Sequence, residues 1–272
     1  MKKKDRTWLQ TLVALLIIAL HITPFYIMVN MSLKELSDRS SRWMPALHPY
    51  FQNYPTAIEH GNLLSAMWNT WIIAFLSVII IVVAGAMAAY PLARKTSRRN
   101  RIILTLIVGV MMVPQLSILV PLYKEMVSLK GINHLWGIVI VSATFHLPMA
   151  IYMYSNFIKS IPKDLDEAAM IDGCSMMQSF FYVILPCLKS TTVSVIILNG
   201  VGIWNDYQFQ LYFLQKPEMR TITLAISTFF TDSKQDLGAA AAAAFIVVLP
   251  PVMAYIFLQK YFVKGAMDSA VK

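Results

Sequence analysis

Six long stretches without a charged residue constrain the fold of this chain more than any other feature of its sequence. A charged side chain at the centre of a bilayer costs roughly 2.5–3.5 kcal/mol, and a transmembrane helix needs about 20 apolar residues. Five of the six stretches are long enough, and the short one, 190–205, lengthens if Lys189 extends to the interface. The stretches are 7–33, 60–93, 102–123, 131–158, 190–205 and 237–259. We therefore predict an all-α integral membrane protein with six transmembrane helices.

The charged residues set the expected boundaries of these helices. The predicted helices cover residues 9–31, 68–90, 102–123, 135–157, 184–205 and 237–262. Pro114 and Pro121 predict a break or bend in the third helix. The predicted division is a basic cytoplasmic tail at 1–8, an anchor helix with an external loop at 9–67, a membrane core at 68–262 containing a cytoplasmic loop at 159–186, and a cytoplasmic tail at 263–272.

The basic residues of the chain predict its orientation rather than a nucleic-acid partner. Charged residues make up only 14% of the sequence, where about a quarter is usual, and the formal net charge is +9. The basic residues flank the apolar stretches, and 15 of the 23 lie at the ends predicted to be cytoplasmic. This bias follows the positive-inside rule, so we expect both termini in the cytoplasm, membrane lipid around the helices and no bound nucleic acid.

The polar segment between the fourth and fifth predicted helices is the exception in an apolar chain. Residues 164–173 contain four of the 14 acidic residues. Asp164 and Glu167 have the spacing of a capping box, and acidic residues in a first turn favour a helix start. We predict a short helix at 164–172 that Gly173 ends, with a second short helix at about 175–182.

One face of the predicted helix suits close approach by another protein. Leu165, Ala168 and Ala169 lie at spacings of three and four residues, which places them on the same side of a helix. The alanines make that side small and smooth. The segment is therefore interpreted as a docking element for a soluble protein, with an ordinary amphipathic surface loop as the alternative.

The spacing of residues through this segment resembles the coupling loop of ATP-binding-cassette (ABC) importer permeases. The family pattern stands here as Glu167-Ala168-Ala169, Gly173, Val183 and Leu185-Pro186, with Val183 in place of the usual isoleucine. Two further stretches, 204–207 and 259–265, resemble carbohydrate-importer permeases, in particular the shorter of the two partners in oligosaccharide importers. The tail departs from that family at 266–269, where another glycine is usual.

The resemblance implies a type I ABC importer fold, in which a cytoplasmic coupling helix lies between transmembrane helices 4 and 5. It also implies a second, homologous permease, two ABC ATPase subunits that bind ATP and Mg, and an extracytoplasmic sugar-binding protein. The implied location is the inner membrane of a bacterial or archaeal cell. The residues expected to couple the chain to the ATPases are Asp164, Glu167, Ala168, Ala169, Asp172, Gly173, Leu185 and Pro186.

The sequence contains no recognisable catalytic or metal-binding motif. A phosphate-binding loop, a His-Glu-x-x-His helix and a Gly-x-Ser-x-Gly turn are all missing, and two cysteines are too few for a zinc site. We therefore expect a transport subunit without its own ATPase site, metal or cofactor. An importer for another nutrient such as a peptide, an integral-membrane enzyme and a passive channel are the alternatives that the sequence leaves open.

Polar residues at membrane depth are candidates for a substrate path, because such groups usually face the interior of the bundle. The candidates are Ser142, His146, Asn199, Trp204 and Asn205. The indole of Trp204 and the amides could contact a sugar. His146 could instead satisfy a neighbouring helix, and Trp204 could instead belong to an interfacial aromatic belt.

Overall fold

The computed structural model describes residues 4–231 and 236–270, which form helices and connecting loops. Lys2, Lys3 and Lys272, assigned above to the cytoplasmic tails, lie outside the described residues. The α-helices are α1 Lys4–Ser32, α2 Asn53–His60, α3 Leu63–Arg94, α4 Arg98–Val110, α5 Leu119–Ser128, α6 Leu135–Ser160, α7 Asp164–Ile171, α8 Met176–Ser179, α9 Leu185–Cys187, α10 Lys189–Trp204, α11 Gln208–Phe213, α12 Ile222–Thr231 and α13 Leu237–Ala270.

Within the described residues, four helices are long and apolar enough to cross a membrane alone. They are Trp8–Ser32, Leu63–Arg94, Leu135–Ser160 and Leu237–Phe257. Two bent pairs pass the same test, Arg98–Val110 with Gln115–Ser128 and Met176–Cys187 with Lys189–Trp204. If each bent pair is one span, the spans number six, as predicted. The first and last helices are longer than predicted, because α1 begins at Lys4 and α13 continues to Ala270.

The third predicted helix is divided into two segments that meet at 91°. α4 ends at Val110, a 3₁₀ turn covers Gln115–Ile118, and α5 follows from Leu119. The break lies at Pro114, whose backbone is extended with ψ of 121°. Proline has no N–H to donate and its ring disfavours helical geometry in the residue before it. The predicted break is therefore confirmed at Pro114, whereas Pro121 lies in the first turn of α5 without breaking it, and α5 continues past the predicted end at 123 to Ser128.

The fifth predicted helix is also divided, here by a bend of 74°. α10 begins at Lys189, five residues after the predicted start at 184, and the segment before it contains a π turn at Phe180–Ile184. Pro186 cannot complete the helical hydrogen bond to the carbonyl four residues earlier, and its ring crowds that carbonyl. A widened π turn accommodates such a defect within a helix.

The described chain separates into two compact units, and α3 and α13 contribute residues to both. The first contains Met1–Met67 and Ile222–Pro250. Its loop between α1 and α2 is held by two buried side chains, Asn30 near the end of α1 and Asn53 at the start of α2. Asn53 donates to the carbonyls of Ser32 and Lys34 at 2.9 and 2.8 Å, and Asn30 donates to two carbonyls of the loop, both at 2.7 Å. Gly238 lies so close to Asn53 that a Cβ would be 2.6 Å from its amide nitrogen.

The second unit contains Trp68–Thr221 and Pro251–Lys272, and α6 lies at its centre. The backbone of α3 comes close to α6 at Gly85, where a Cβ would lie 3.2 Å from the Cβ of Ala150. On the other side, Tyr154 donates to the hydroxyl of Thr192 on α10 at 3.0 Å. Small residues that allow close helix approach, together with side-chain hydrogen bonds, are the usual means of helix packing in membranes.

Candidate functional site

The acidic segment after α6 forms a helix that begins where the sequence predicts, but without the predicted cap. α7 starts at Asp164, and Asp164, Asp166 and Glu167 occupy its first turn. The residue before the helix is Lys163, which makes no side-chain capping bond; its carbonyl accepts instead from the N–H groups of Asp166 and Glu167 at 2.9 and 3.1 Å. Asp164 is therefore inside the helix, and the predicted capping box is wrong because it requires a residue before the first turn.

The end of α7 is fixed by Gly173, as predicted. Its φ of +86° is in the left-handed region. The N–H of Cys174 donates to the carbonyl of Ala169 at 2.9 Å, and the N–H of Gly173 donates to the carbonyl of Met170 at 3.1 Å. These two bonds form a Schellman motif, which satisfies carbonyls at the helix end and normally requires glycine at this position. Asp172 immediately before it is exposed.

The two alanines of the motif lie on different sides of α7. Ala169 is buried with 5% of its surface exposed, and Asp166, three residues earlier, is also buried. Ala168 and Leu165 are exposed. The prediction that Leu165, Ala168 and Ala169 form one outward face is wrong, because the face with Asp166 and Ala169 turns toward the chain itself. The outward face carries Asp164, Glu167, Ala168 and the most exposed apolar side chain of the segment, Ile171 at 86%.

A buried ion pair determines which face of α7 turns inward. Arg94, the last residue of α3, places Nη2 2.8 Å from Oδ2 of Asp166. Tyr90 donates to the other carboxylate oxygen at 2.5 Å. In the sequence, Arg94 is one of the basic residues that flank the apolar stretches, and Asp166 is one of the four acidic residues of 164–173. Their pairing has no signature in the sequence, because 71 residues separate them along the chain.

The segment after Gly173 leads to α10 through a capped short helix and a π turn. Ser175 and Gln178 form a capping box at α8: the Ser175 hydroxyl accepts from the Gln178 N–H, and the Gln178 side chain accepts from the Ser175 N–H at 2.8 Å. The π turn and the Leu185-Pro186 pair follow, and Pro186 lies two residues before the bend at Leu188. The predicted second short helix at 175–182 is thus α8 continued by the π turn.

His146 belongs to α6, and its side chain lies beside Gly202 of α10. Its Nδ1 is 2.9 Å from the carbonyl of Ser142, so this nitrogen is the donor because a carbonyl only accepts. A Cβ on Gly202 would lie 3.0 Å from the Nε2 of the same ring. Ser142 is buried and His146 is half-buried. The hydrogen bond lies within α6 itself and the ring packs beside Gly202 of α10, so both a role on a substrate path and a role in satisfying a neighbouring helix stay predictions.

The other path candidates are distributed around α10 rather than gathered at one point. Asn199 is buried and donates to the carbonyl of Val195 at 2.7 Å, and Asn205 is exposed and donates to the carbonyl of Val201 at 2.9 Å. Trp204 is 7% exposed. Among the described residues its indole N–H has no hydrogen-bond acceptor. A buried Trp204 does not fit an aromatic belt that faces the membrane interface.

Asp206, which follows α10, has a perturbed carboxyl group. Burial raises the pKa of Asp206 above its ordinary value of 3.8, although the backbone N–H groups of Phe209 and Gln208 and the charge of His146 act in the opposite direction. The folded state therefore holds this proton to a higher pH than the unfolded state does. The free energy of unfolding falls as pH rises from the ordinary value through the raised one.

We expect Asp206→Asn to remove this loss of stability, because the Asn oxygen still accepts from the Phe209 N–H. Thermal unfolding of the purified chain over a pH series measures it. Asp38→Asn is the matched control of opposite sign, since hydrogen bonds from Ser40 lower the pKa of Asp38 and its stabilising effect is lost as pH falls. A pH dependence of melting that Asp206→Asn leaves unaltered would contradict the expectation.

Several helices long and apolar enough to cross a membrane, with the polar α7 between two of them, define a class of protein, the multi-pass membrane protein. A family model for the inner membrane component of binding-protein-dependent transport systems matches residues 81–267. The chain belongs to this family.

Relatives and solved structures extend the comparison over almost the whole chain. The melibiose/raffinose/stachyose import permease protein MelC of Bacillus subtilis (strain 168) is 38% identical over 96% of this chain and 95% of its own length. The probable starch degradation products transport system permease protein AmyC of Thermoanaerobacterium thermosulfurigenes is 32% identical over 97% of each chain. A chain of a bacterial ABC transporter that imports the acidic polysaccharide alginate superposes with a TM-score of 0.80 at 20% identity, covering 96% of this chain and 99% of that one. This likeness shows the fold, that of a type I ABC importer permease.

Proposed function

We propose that this chain is one of two permease subunits of an ATP-driven importer for an oligosaccharide. The proposal is supported by relatives named for the uptake of melibiose, raffinose and stachyose, of starch degradation products and of multiple sugars. The second permease subunit is a homologue of this chain. An extracytoplasmic sugar-binding protein delivers the substrate; a structure similar to this chain contains an alginate ABC transporter with a periplasmic protein bound to an alginate pentasaccharide.

The observation that carries the proposal is the exposed face of α7. Asp164, Glu167 and Asp172 place three carboxylates in solvent beside the exposed Ile171, while the opposite face is buried against the chain. Exposed carboxylates around an apolar residue suit a cleft with basic walls, and the small Ala168 permits close approach. We assign this face to a cleft on an ABC ATPase subunit. Glu167 orients the helix there by polar contacts.

The mechanism has two states. ATP and Mg bind to the pair of ATPase subunits, not to this chain, and they favour the closed pair because they bind it more tightly. α7 moves with the ATPase to which it is docked, as a rigid element. The bundle then changes from inward to outward opening, and hydrolysis reverses the change. This chain contributes a path and a mechanical connection, and no catalytic group.

The substrate path in this proposal passes beside α6 and α10. Asn199, Trp204 and Asn205 belong to α10 or its end, and Ser142 and His146 belong to α6. The buried indole N–H of Trp204 has no acceptor among the described residues, and a sugar hydroxyl could accept from it once the path opens. The second permease forms the other wall. Both termini of this chain lie in the cytoplasm of a bacterium or archaeon, in line with the distribution of its basic residues.

A cysteine cross-link to the ATPase tests the proposed docking. In a background with Cys174→Ser and Cys187→Ser, Ile171→Cys places a thiol on the exposed face of α7, and Ala169→Cys places one on the buried face. We expect the thiol at 171 to form a cross-link to a co-purified ABC ATPase whose yield changes on adding ATP and Mg, and the thiol at 169 to form little or none. A thiol at 171 that captures no ATPase in the assembled membrane complex would contradict the docking assignment.

Uptake into vesicles tests the substrate class. Melibiose, raffinose, stachyose and maltotriose are supplied in parallel with a dipeptide, each with the purified binding protein and with or without internal ATP. ATP-dependent uptake of one or more sugars supports the proposal. Uptake of the dipeptide alone would support a peptide importer instead, and uptake that needs neither ATP nor the binding protein would indicate a passive channel.

A further inference from the structure

Arg94 is the point at which three elements of the second unit meet. Its side chain is 9% exposed. Nη1 donates to the carbonyls of Ile158 and Ile161 at 2.9 and 2.8 Å, and Nη2 lies 2.8 Å from the Asp166 carboxylate. The guanidinium at the end of α3 thus joins the end of α6 to the first turn of α7.

The chemistry of the end of α6 explains the need for an arginine. The last carbonyls of a helix have no partner within it, and they form the negative end of the helix dipole. A guanidinium carries several N–H donors in a rigid plane, so one nitrogen can donate to two carbonyls while the other pairs with a carboxylate. A lysine ammonium at the same position has fewer donors and no fixed plane, so it could not replace this geometry in full.

Tyr90 completes the arrangement one helical turn before Arg94. Its hydroxyl donates to Oδ1 of Asp166 at 2.5 Å. The centroid of its ring lies 5.2 Å from that of Phe180 in the π turn. Both oxygens of Asp166 are therefore held by side chains of α3. α7 is fixed at its first turn to α3, and through Arg94 to α6.

The neighbouring basic residues provide a contrast. Lys95, Arg98 and Arg99 follow in the same turn and are exposed. They are available for the lipid head groups and solvent that a positive-inside turn meets. The Arg94 side chain is only 9% exposed and is paired, so its role differs from theirs, although the sequence places it in the same basic cluster.

We propose that Arg94, Asp166 and Tyr90 are positioning residues that make α7 move as one body with the cytoplasmic ends of α3 and α6. The inference rests on the proposed function, since it concerns how motion of a docked ATPase enters the bundle. Without the contacts among Arg94, Asp166 and Tyr90, α7 stays docked and follows the ATPase. It then moves relative to α3 and α6, and the displacement does not open the transmembrane helices. The ATPases then hydrolyse ATP with little import.

The test compares transport with hydrolysis in the complete importer reconstituted in vesicles. Asp166→Asn and Arg94→Gln are expected to lower the number of sugar molecules imported per ATP hydrolysed by about tenfold or more, with hydrolysis retained. Tyr90→Phe removes one contact and Arg94→Lys keeps the charge, so both should give smaller decreases. Arg98→Gln is the matched control, because Arg98 is an exposed residue of the same basic turn, and its ratio should equal that of the wild type.

Two further readouts separate positioning from a general loss of structure. The double variant Arg94→Gln with Asp166→Asn should be no worse than either single variant, because the two residues act as one unit. Spin labels at exposed Ile171 of α7 and exposed Met87 of α3 should give one narrow distance distribution in the wild type and in Arg98→Gln, and a broad one in Arg94→Gln. A loss of folded complex changes the amount of material but not these normalised quantities.

The outcomes distinguish the inference from the proposed function. Wild-type vesicles without ATP-dependent sugar uptake would overturn the proposed function and the inference with it. Wild-type uptake together with an unchanged import-to-hydrolysis ratio in Asp166→Asn and Arg94→Gln would overturn the inference alone. If these two variants do not assemble, an unchanged ratio in both Tyr90→Phe and Arg94→Lys would overturn it.

Discussion

Replacement of Gly173 by Asp is expected to abolish substrate uptake while leaving the amount of chain in the membrane unchanged. Gly173 adopts φ of +86°, a conformation that costs an L-residue roughly 1–2 kcal/mol. A carboxylate would also be added at the C-terminal end of α7, where the helix dipole disfavours negative charge. Apart from residues 172–174 themselves, no atom of the described chain lies within 4 Å of the position of the new Cβ. The loss must therefore come from the backbone and the charge, or from a partner that approaches this turn.

Three substitutions at Gly173 separate these causes. Gly173→Asn has the shape of Asp without the charge, and Asn tolerates the left-handed region better than most residues do. Gly173→Ala has no charge but strains the backbone. We expect Asn to retain most uptake if the backbone and charge dominate, with Ala intermediate and Asp inactive. Uptake by vesicles with equal amounts of inserted chain measures this, and normal coupled uptake in Gly173→Asp would refute the assigned role of the turn.

Replacement of Ala169 by Glu is expected to reduce uptake by more than about tenfold, the change that 1.4 kcal/mol produces. Ala169 is 5% exposed on the same face as Asp166, so a longer charged side chain has no room there. A buried carboxylate without its own partner is strongly unfavourable, and a second one three residues from Asp166 competes for Arg94. The expected consequence is that α7 separates from the end of α3 while the transmembrane helices stay inserted.

Ala168→Glu is the matched comparison, because Ala168 is the exposed neighbour. In the isolated chain, Ala169→Glu should make the 164–173 loop more sensitive to limited proteolysis, whereas Ala168→Glu should leave its sensitivity at the wild-type level. In the assembled importer, Ala168→Glu should instead weaken the link between Ile171→Cys and the ATPase. If Ala169→Glu imports normally, the inward orientation of this face is contradicted.

Local chemistry made much of α7 predictable from the sequence. A run of acidic residues at Asp164–Glu167 marks a helix start, and a glycine nine residues after Asp164 marks a helix end, since each depends on residues close together in the chain. The structure places the helix at Asp164–Ile171 with Gly173 in the left-handed region. The predicted capping box is wrong because Asp164 lies inside the first turn of α7 and not before it. A carboxylate in either position gives nearly the same sequence pattern.

The path candidates show the opposite case. Ser142, His146, Asn199 and Asn205 are candidates because polar groups at membrane depth are rare. In the structure, His146, Asn199 and Asn205 each have a ring nitrogen or amide nitrogen within hydrogen-bond distance of a carbonyl four residues earlier in the same helix. A polar side chain in a transmembrane helix can satisfy itself in this way or face a path. The sequence pattern is identical for the two, so only the positions of neighbouring helices distinguish them.

The sequence by itself determined the features that depend on a bilayer and on short-range chemistry: the number of apolar spans, the break at Pro114 and the stop at Gly173. The tertiary structure decided which side of α7 turns outward, how sharply the third and fifth spans bend, and which basic residue leaves the solvent. These depend on contacts between residues far apart in the chain, above all Arg94 with Asp166. An ion pair of this kind is selected by three-dimensional geometry, since any of several nearby basic residues carries the same charge.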